Sequence, residues 1–234
     1  MPRTAMGATG IVLLARHASQ RFPGKAMAVL AGRTLLEHCV SRLTAAGVGP
    51  VVLATTTRSD DDVLAVLAAR LGARVYRGDQ HDVLGRIVAA AEAHGFSRLL
   101  RATGDNPFVD IGGPARALAL LAPGVDYACE DGMPVGAAVE AVTLAALARS
   151  AAEATDPADR EHVTTFIKAH PDRYRCIRRR APAALCAPDV RLTVDTPSDL
   201  AWLRSLVAAT GSHEPELRAL ITAAMAAPLE MIST

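Results

Sequence analysis

The sequence predicts an α/β fold in which a mainly parallel sheet is covered by helices on both faces. Three observations carry this reading. Four short strand-like segments are separated by three segments of helical periodicity within the first 103 residues. Glycines stop those helical segments at Gly47, Gly72 and Gly95. Half of the 234 residues are hydrophobic but only 3% are aromatic, so a sizeable core is available and must be built from Ala, Val and Leu.

The elements follow in order. "GIVLLA" (10–15) is a continuous apolar run, as expected of a buried parallel strand. Residues 34–47 place Leu35, Leu36, Cys39, Val40 and Leu43 at helical spacing. "PVVLAT" (50–55) is a second strand. Residues 59–72 open on Ser-Asp residues suited to an N-cap and first turn. "ARVYRG" (73–78) is a third strand, 81–95 a third helix and "SRLLRAT" (97–103) a fourth strand. The second half is less regular: a helix over 112–122, strands over 125–130 and 137–142, helices over 143–153 and 157–169, and a strand over 174–180. A closing strand, turn and helix follow over 190–211, with Pro197 near the helix start. No repeat, low-complexity linker or boundary divides the chain, so one continuous domain over 1–234 is expected.

Composition narrows the class. A formal net charge of +1 argues against a general nucleic-acid binder. Cys39, Cys129, Cys176 and Cys186 show neither zinc spacing nor a disulfide framework, which suits reduced thiols and a cytoplasmic location. The N-terminal apolar stretch is too short for a signal peptide, and no run approaches membrane-spanning length. Only two of the 25 basic residues are lysine, Lys25 and Lys168.

The first strand empties into "ARHASQRFPGK" (15–25), which carries Arg16, Arg21 and Lys25. Such a loop beyond a strand's carboxyl end suits a polyphosphate: arginine offers forked donors and lysine a mobile point charge. Neither GxGxxG nor GxxxxGK[ST] is present, which removes most support for hydride transfer and for P-loop hydrolysis. Charge alone leaves a solvated surface loop equally open.

The order of residues goes further. Ala15, Arg16, Ser19, Arg21, Pro23, Gly24 and Lys25, followed by "MAVLAGRTLLEH", closely resemble the N-terminal signature of the CMP-sugar synthetases, among them CMP-Kdo synthetase and the acylneuraminate cytidylyltransferases. "RGDQHDVLGR" (77–86), "TGDNPFVD" (103–110), "REHVTTFI" (160–167) and "RLTVDTPSDL" (191–200) resemble the spore-coat polysaccharide branch of these cytidylyltransferases. The resemblance runs from residue 11 to about residue 203. It implies a single-domain, Rossmann-like nucleotidyltransferase of the nucleotide-diphospho-sugar transferase type, with a mixed sheet. The nucleotide-binding half would cover about 10–110, the acceptor and dimerisation half about 111–190, and a closing segment about 190–211.

The implied reaction is transfer of CMP from CTP to an acidic acceptor, with release of pyrophosphate. By resemblance Arg16, Arg21 and Lys25 would hold the β- and γ-phosphates, Ser19 would donate to a phosphate or shape the turn, and Ala15 would lie against the nucleotide. Asp105 and Asp195 would be Mg²⁺ ligands, two hard oxygen donors for a hard cation. A turn role for Asp105 and a helix-capping role for Asp195 are the plain alternatives. Arg77, Asp82 and Arg86 match a segment near base and ribose; Asp82 equally suits a helix cap, and Arg86 a solvated helix charge. Glu140, Arg160, Glu161 and His162 match acceptor-side motifs, with an N-terminal-turn role open for Glu161 and a structural role for His162. A homodimer is implied.

Ala137 and Ala138 depart from the polar residue usual in this branch, which points to a smaller or less polar acceptor pocket. A phosphate or phosphonate acceptor is an alternative within the class. A glycosyltransferase using a nucleotide-sugar is the alternative outside it, and a non-catalytic nucleotide sensor a third; no D-x-D follows a predicted strand.

Overall fold

The computed structural model describes residues 8–227. The signal-peptide reading falls partly on residues 1–7, outside them. The first strand, β1 (Ala8–Leu14), buries Ile11 and Leu13 toward one side and Val12 and Leu14 toward the other. That explains its unbroken apolar run, because a strand with helices on both faces has no solvent face.

After a short hairpin, β2 (Val29–Leu30) and β3 (Arg33–Thr34), comes helix α1 (Leu35–Ala45). Its capping box is complete: Glu37 N–H donates to Thr34 Oγ1 at 3.2 Å, and Thr34 N–H donates to Glu37 Oε2 at 2.6 Å. Strand β4 (Val51–Thr56), helix α2 (Asp62–Arg70), strand β5 (Arg74–Gly78), helix α3 (Val83–Ala93) and strand β6 (Phe96–Thr103) then alternate as predicted. The second half supplies α4 (Gly113–Leu120), β7 (Tyr127–Asp131), β8 (Glu140–Thr143), α5 (Leu144–Glu153), α6 (Pro157–His162), α7 (Thr165–Ala169) and β9 (Cys176–Arg180). It closes with α8 (Pro197–Thr210) and α9 (Leu217–Ala226).

One seven-stranded sheet joins both halves of the chain in the order β5-β4-β1-β6-β8-β7-β9. The first four of these are parallel; β8 runs antiparallel to β6 and β7, and β7 is parallel to β9. The sheet is thus mixed. One face packs Ile11, Leu13, Leu53 and Leu100 against α1, α2 and α4. The other packs Val12, Val52, Leu99 and Val142 against α3, α5 and α7. A third apolar cluster seats α8 and α9 through Leu203, Leu206, Leu220 and Ile221 on Leu30, Phe108 and Leu192.

Three predicted elements are corrected. The helix expected over 157–169 is two helices, because Val163 takes φ 65° and ψ −58° and Thr164 N–H donates back to His162 O at 2.7 Å. This is a γ-turn of positive φ, a strained conformation for a β-branched residue. The closing strand near 190 makes only an isolated bridge, Val135 with Arg191. Its backbone instead ties two loops: Leu192 N–H donates to Val135 O and Val194 N–H to Asp105 O, each at 2.8 Å. Finally, the acidic start of 59–72 is a 3-10 turn, and Asp61 does not cap α2 with its side chain. Helix α9 and the hairpin at 29–34 were not predicted. Among the described residues no helix is long and apolar enough to cross a membrane.

Candidate active site

The ends of β1 and β6 are drawn together by their sequences. Gly104 N–H donates to Leu14 O at 2.8 Å, and a Cβ on Gly104 would stand 2.8 Å from the Ala15 Cβ. Only glycine fits there, so "TGD" sits directly against the start of the cationic loop. The loop then turns on itself: Ser19 and Gly24 N–H both donate to His17 O at 2.9 Å. Gly24 takes φ 73°, which a side chain disfavours, and so aims Lys25 inward. A buried carboxylate beneath holds this turn in place. Asp61 accepts from His17 N–H at 2.6 Å, from Thr56 N–H at 3.0 Å and from the Thr56 hydroxyl.

Lys25 Nζ lies 3.0 Å from Asp105 Oδ2, 3.1 Å from Asp195 Oδ1 and 2.9 Å from Val194 O. Two carboxylates 90 positions apart in the chain therefore converge on one cation. Asp105 is steadied by the Thr103 hydroxyl, which donates to its Oδ1 at 2.6 Å. Asp195 also pairs with Arg21 at 2.9 Å and Arg191 at 2.6 Å, and its N–H is held by Asp199 Oδ2 at 2.8 Å. Burial pushes its carboxyl up, but hydrogen bonds from Lys25 and Arg191 and the charge of Arg21 overcome this and hold it below its ordinary range. Asp195 is not the helix cap: Thr196 is, with Asp199 completing the box. Nor does it end a strand. Both carboxylates are oxygen donors, and among the described residues no three His, Cys, Asp or Glu side chains form a full cage. That donor set fits a hard cation that shares its remaining ligands with phosphate and water.

Arg16 leaves the same loop toward α6. It donates to Glu161 Oε1 at 2.8 Å and to Gln80 O at 3.3 Å. Beside it Arg160 pairs with Asp82, whose other oxygen caps α3 through Gly85 N–H at 2.8 Å. The nucleotide-side and acceptor-side motifs thus interlock through two ion pairs. Arg86 is buried rather than solvated and donates to the carbonyls of Asp79 and Gln80. Arg77 turns toward the segment after β4, on Thr56 O, Arg58 O and Asp62. The His162 side chain is exposed.

Glu140 is the hub of a second cluster. It accepts from Arg101 at 2.7 Å, Tyr127 Oη at 2.7 Å, Lys168 at 3.1 Å and the Thr164 hydroxyl at 3.0 Å. Burial opposes its charge, yet the Arg101 and Lys168 cations and the Tyr127 hydrogen bond bring its carboxyl down to about 2. Two cations face one carboxylate, a surplus of one positive charge. Arg101 and Thr103 project from the same face of β6, two residues apart, so this cluster adjoins the Asp105 site. Sequence reading missed Asp61, Arg101, Tyr127, Thr164, Arg191 and Asp199. Thr164, Arg191 and Asp199 lay inside the motifs that carry the resemblance, and Lys168 carried a signal in its rarity.

Against known proteins, residues 10–224 match the model of the family described as cytidylyltransferase. The chain is 34% identical to the spore coat polysaccharide biosynthesis protein SpsF of Bacillus subtilis, over 86% of this chain and 87% of that protein. A 3-deoxy-manno-octulosonate cytidylyltransferase of Solibacter usitatus matches at 34% identity over 47% of this chain and 42% of its own length. Among solved structures, a cytidylyltransferase from Leptospira borgpetersenii superposes with a TM-score of 0.86 at 24% identity, covering 94% of this chain and 98% of that one. CMP:2-keto-3-deoxy-manno-octonic acid synthetase complexed with CTP superposes with a TM-score of 0.63 at 18% identity, covering 86% and 98%. These last two likenesses establish the nucleotidyltransferase fold, and the family model and the full-length relative settle membership: the chain belongs to the cytidylyltransferase family.

Proposed function

We propose that the protein transfers CMP from CTP to an acidic acceptor, a sugar acid such as a 3-deoxy-ulosonate or nonulosonate, releases pyrophosphate, and uses Mg²⁺. The observation that carries this reading is the convergence of Lys25, Asp105 and Asp195 where β1 and β6 end, with Arg21 alongside. When bound, Mg²⁺ would supply charge neutralisation of the triphosphate and activation of the attacking oxygen, held by Asp105 and Asp195. Negative charge builds on the departing pyrophosphate as the α–β bond breaks. Arg21 and Lys25 are the cations on that side, and their work is electrostatic. Arg16 stays oriented by Glu161 and Gln80 until phosphate oxygens compete for it. The surplus positive charge of Arg101 and Lys168 over Glu140 supports an anionic acceptor on the adjoining face. The names of the 3-deoxy-manno-octulosonate relatives support the same acceptor chemistry. By the same family resemblance we propose a homodimer, to be checked by sedimentation.

The test is pyrophosphate release from CTP, UTP, ATP and GTP with a panel of sugar acids, phosphates and phosphonates. CTP with a sugar acid should be fastest, and Lys25→Ala and Asp105→Ala should each slow it at least ~100-fold, the scale of losing an electrostatic group in an active site. Turnover confined to phosphonates would move the acceptor class. Transfer from UDP- or GDP-sugars without pyrophosphate would replace the reading with a glycosyltransferase.

A further inference from the structure

We infer that Lys25 keeps the Asp105–Asp195 pair closed to a bare divalent cation, so that metal is admitted only with the nucleotide. The inference rests on the CTP reading above and assigns Lys25 a role before catalysis begins. Its basis is where the ammonium sits. Nζ touches one oxygen of each carboxylate, at 3.0 and 3.1 Å, and the Val194 carbonyl at 2.9 Å. A lysine ammonium has three donors, and all three are used. The side chain is only 15% exposed, so it is docked rather than waving in solvent.

The charge around the pair is already balanced. Asp105, Asp195 and Asp199 carry three negative charges; Lys25, Arg21 and Arg191 carry three positive ones in direct contact with them. A divalent ion arriving alone would have to displace Lys25 or sit beside it. Mg²⁺ also sheds water reluctantly, so a neutralised carboxylate pair is a poor host for it. A nucleoside triphosphate changes both terms. Its phosphates offer Lys25 and Arg21 new anionic partners, and their negative charge offsets the incoming metal. Lys25 swings from carboxylate to phosphate, and the two aspartates are freed as the metal enters.

The direct test is Mn²⁺ binding to the nucleotide-free protein, read from the electron paramagnetic resonance of the free ion. Wild type should bind Mn²⁺ weakly. Lys25→Met, which keeps the length and removes the charge, should bind it at least tenfold more tightly, and adding Asp105→Asn should abolish the gain. Equal affinity in wild type and Lys25→Met overturns the exclusion and leaves the CTP reading standing. A second measurement needs no variant to fold. The chain has only two lysines, so side-chain labelling gives two resonances, with Lys168 as an internal reference. The Lys25 signal should stay fixed on titration with Mg²⁺ alone and move with CTP plus Mg²⁺. Saturable movement with Mg²⁺ alone overturns the exclusion. No movement under either condition, together with no CTP binding by calorimetry, overturns the CTP reading and the exclusion with it.

Discussion

At the scale of single residues the chemistry lies in how buried charges are balanced. Glu140 is the sharpest case, since four side chains, Arg101, Tyr127, Thr164 and Lys168, donate to its one carboxylate. Its folded carboxyl titrates at about 2 rather than at 4.5. A depressed carboxylate stabilises the fold above its unfolded value and loses that contribution as pH falls through the folded one. Glu140→Gln should therefore lower stability by on the order of 2–4 kcal/mol at pH 7, because two cations are left facing no counter-charge. The gap between wild type and variant should hold from pH 7 to about pH 5, then shrink as pH falls from about 4.5 toward 2. Urea unfolding of both proteins across that range checks it; a gap that widens in acid would reverse the sign. Burial drives the Cys39 thiol up and leaves it unreactive.

At the scale of elements the site depends on two junctions. The first is the γ-turn at Val163. An unbroken helix over 157–169 would put Glu161 and Lys168, seven positions apart, on one face about 10 Å apart. The break sends Glu161 to Arg16 and Lys168 to Glu140 instead. Strain of about 1–3 kcal/mol at Val163 accompanies that arrangement, as is usual where a backbone outlier serves a site. The second junction is Ala15 against Gly104. Gly104→Ala should cost about 1–3 kcal/mol by overpacking and push the ends of β1 and β6 apart. Asp105 follows directly, so pyrophosphate release should fall at least tenfold while the far-ultraviolet circular dichroism is unchanged. The double variant Ala15→Gly/Gly104→Ala removes the opposing Cβ and should recover most of the loss; no recovery would show that the contact is not what fixes Asp105.

At the scale of the whole molecule, the site is assembled from both ends of the chain: Lys25, Asp105 and Asp195 come from an N-terminal loop, a central strand end and the segment before α8. This is why the fold was more legible than the site. Strands β1 and β4 announce themselves by unbroken apolar runs, β5 and β6 by the helix stops at Gly72 and Gly95 just before them, and each was found. Residues 190–195 read as a strand because their apolar residues alternate, yet their backbone donors go to two separate loops and no ladder forms. Helix α9 buries Leu217, Leu220, Ile221 and Ala224 on one face at i, i+3, i+4 and i+7, so its periodicity was legible and the expectation simply ended at residue 211. The Lys25–Asp105–Asp195 set was visible only through resemblance to a family, since nothing in spacing brings positions 105 and 195 together. Asp61 and Arg101 were invisible for a related reason: a lone charge near a strand end has no partner until the sheet supplies one. The same dispersal makes ligand binding report on the entire fold. A ligand that bridges these segments can bind only the native state, so it must raise the melting temperature by mass action. At a hundredfold excess over its dissociation constant, CTP with Mg²⁺ should add about 2.7 kcal/mol. At about 2–4 °C per kcal/mol for a chain of this length, that is a shift of roughly 5–10 °C by calorimetry. UTP, ATP and GTP at the same concentration should give less, and Asp105→Asn should remove most of the CTP shift while its own melting temperature without ligand stays near wild type. Equal shifts from all four nucleotides would mean that the pocket reads the triphosphate and not the cytosine, and the family's cytidine preference would then have no basis in this chain.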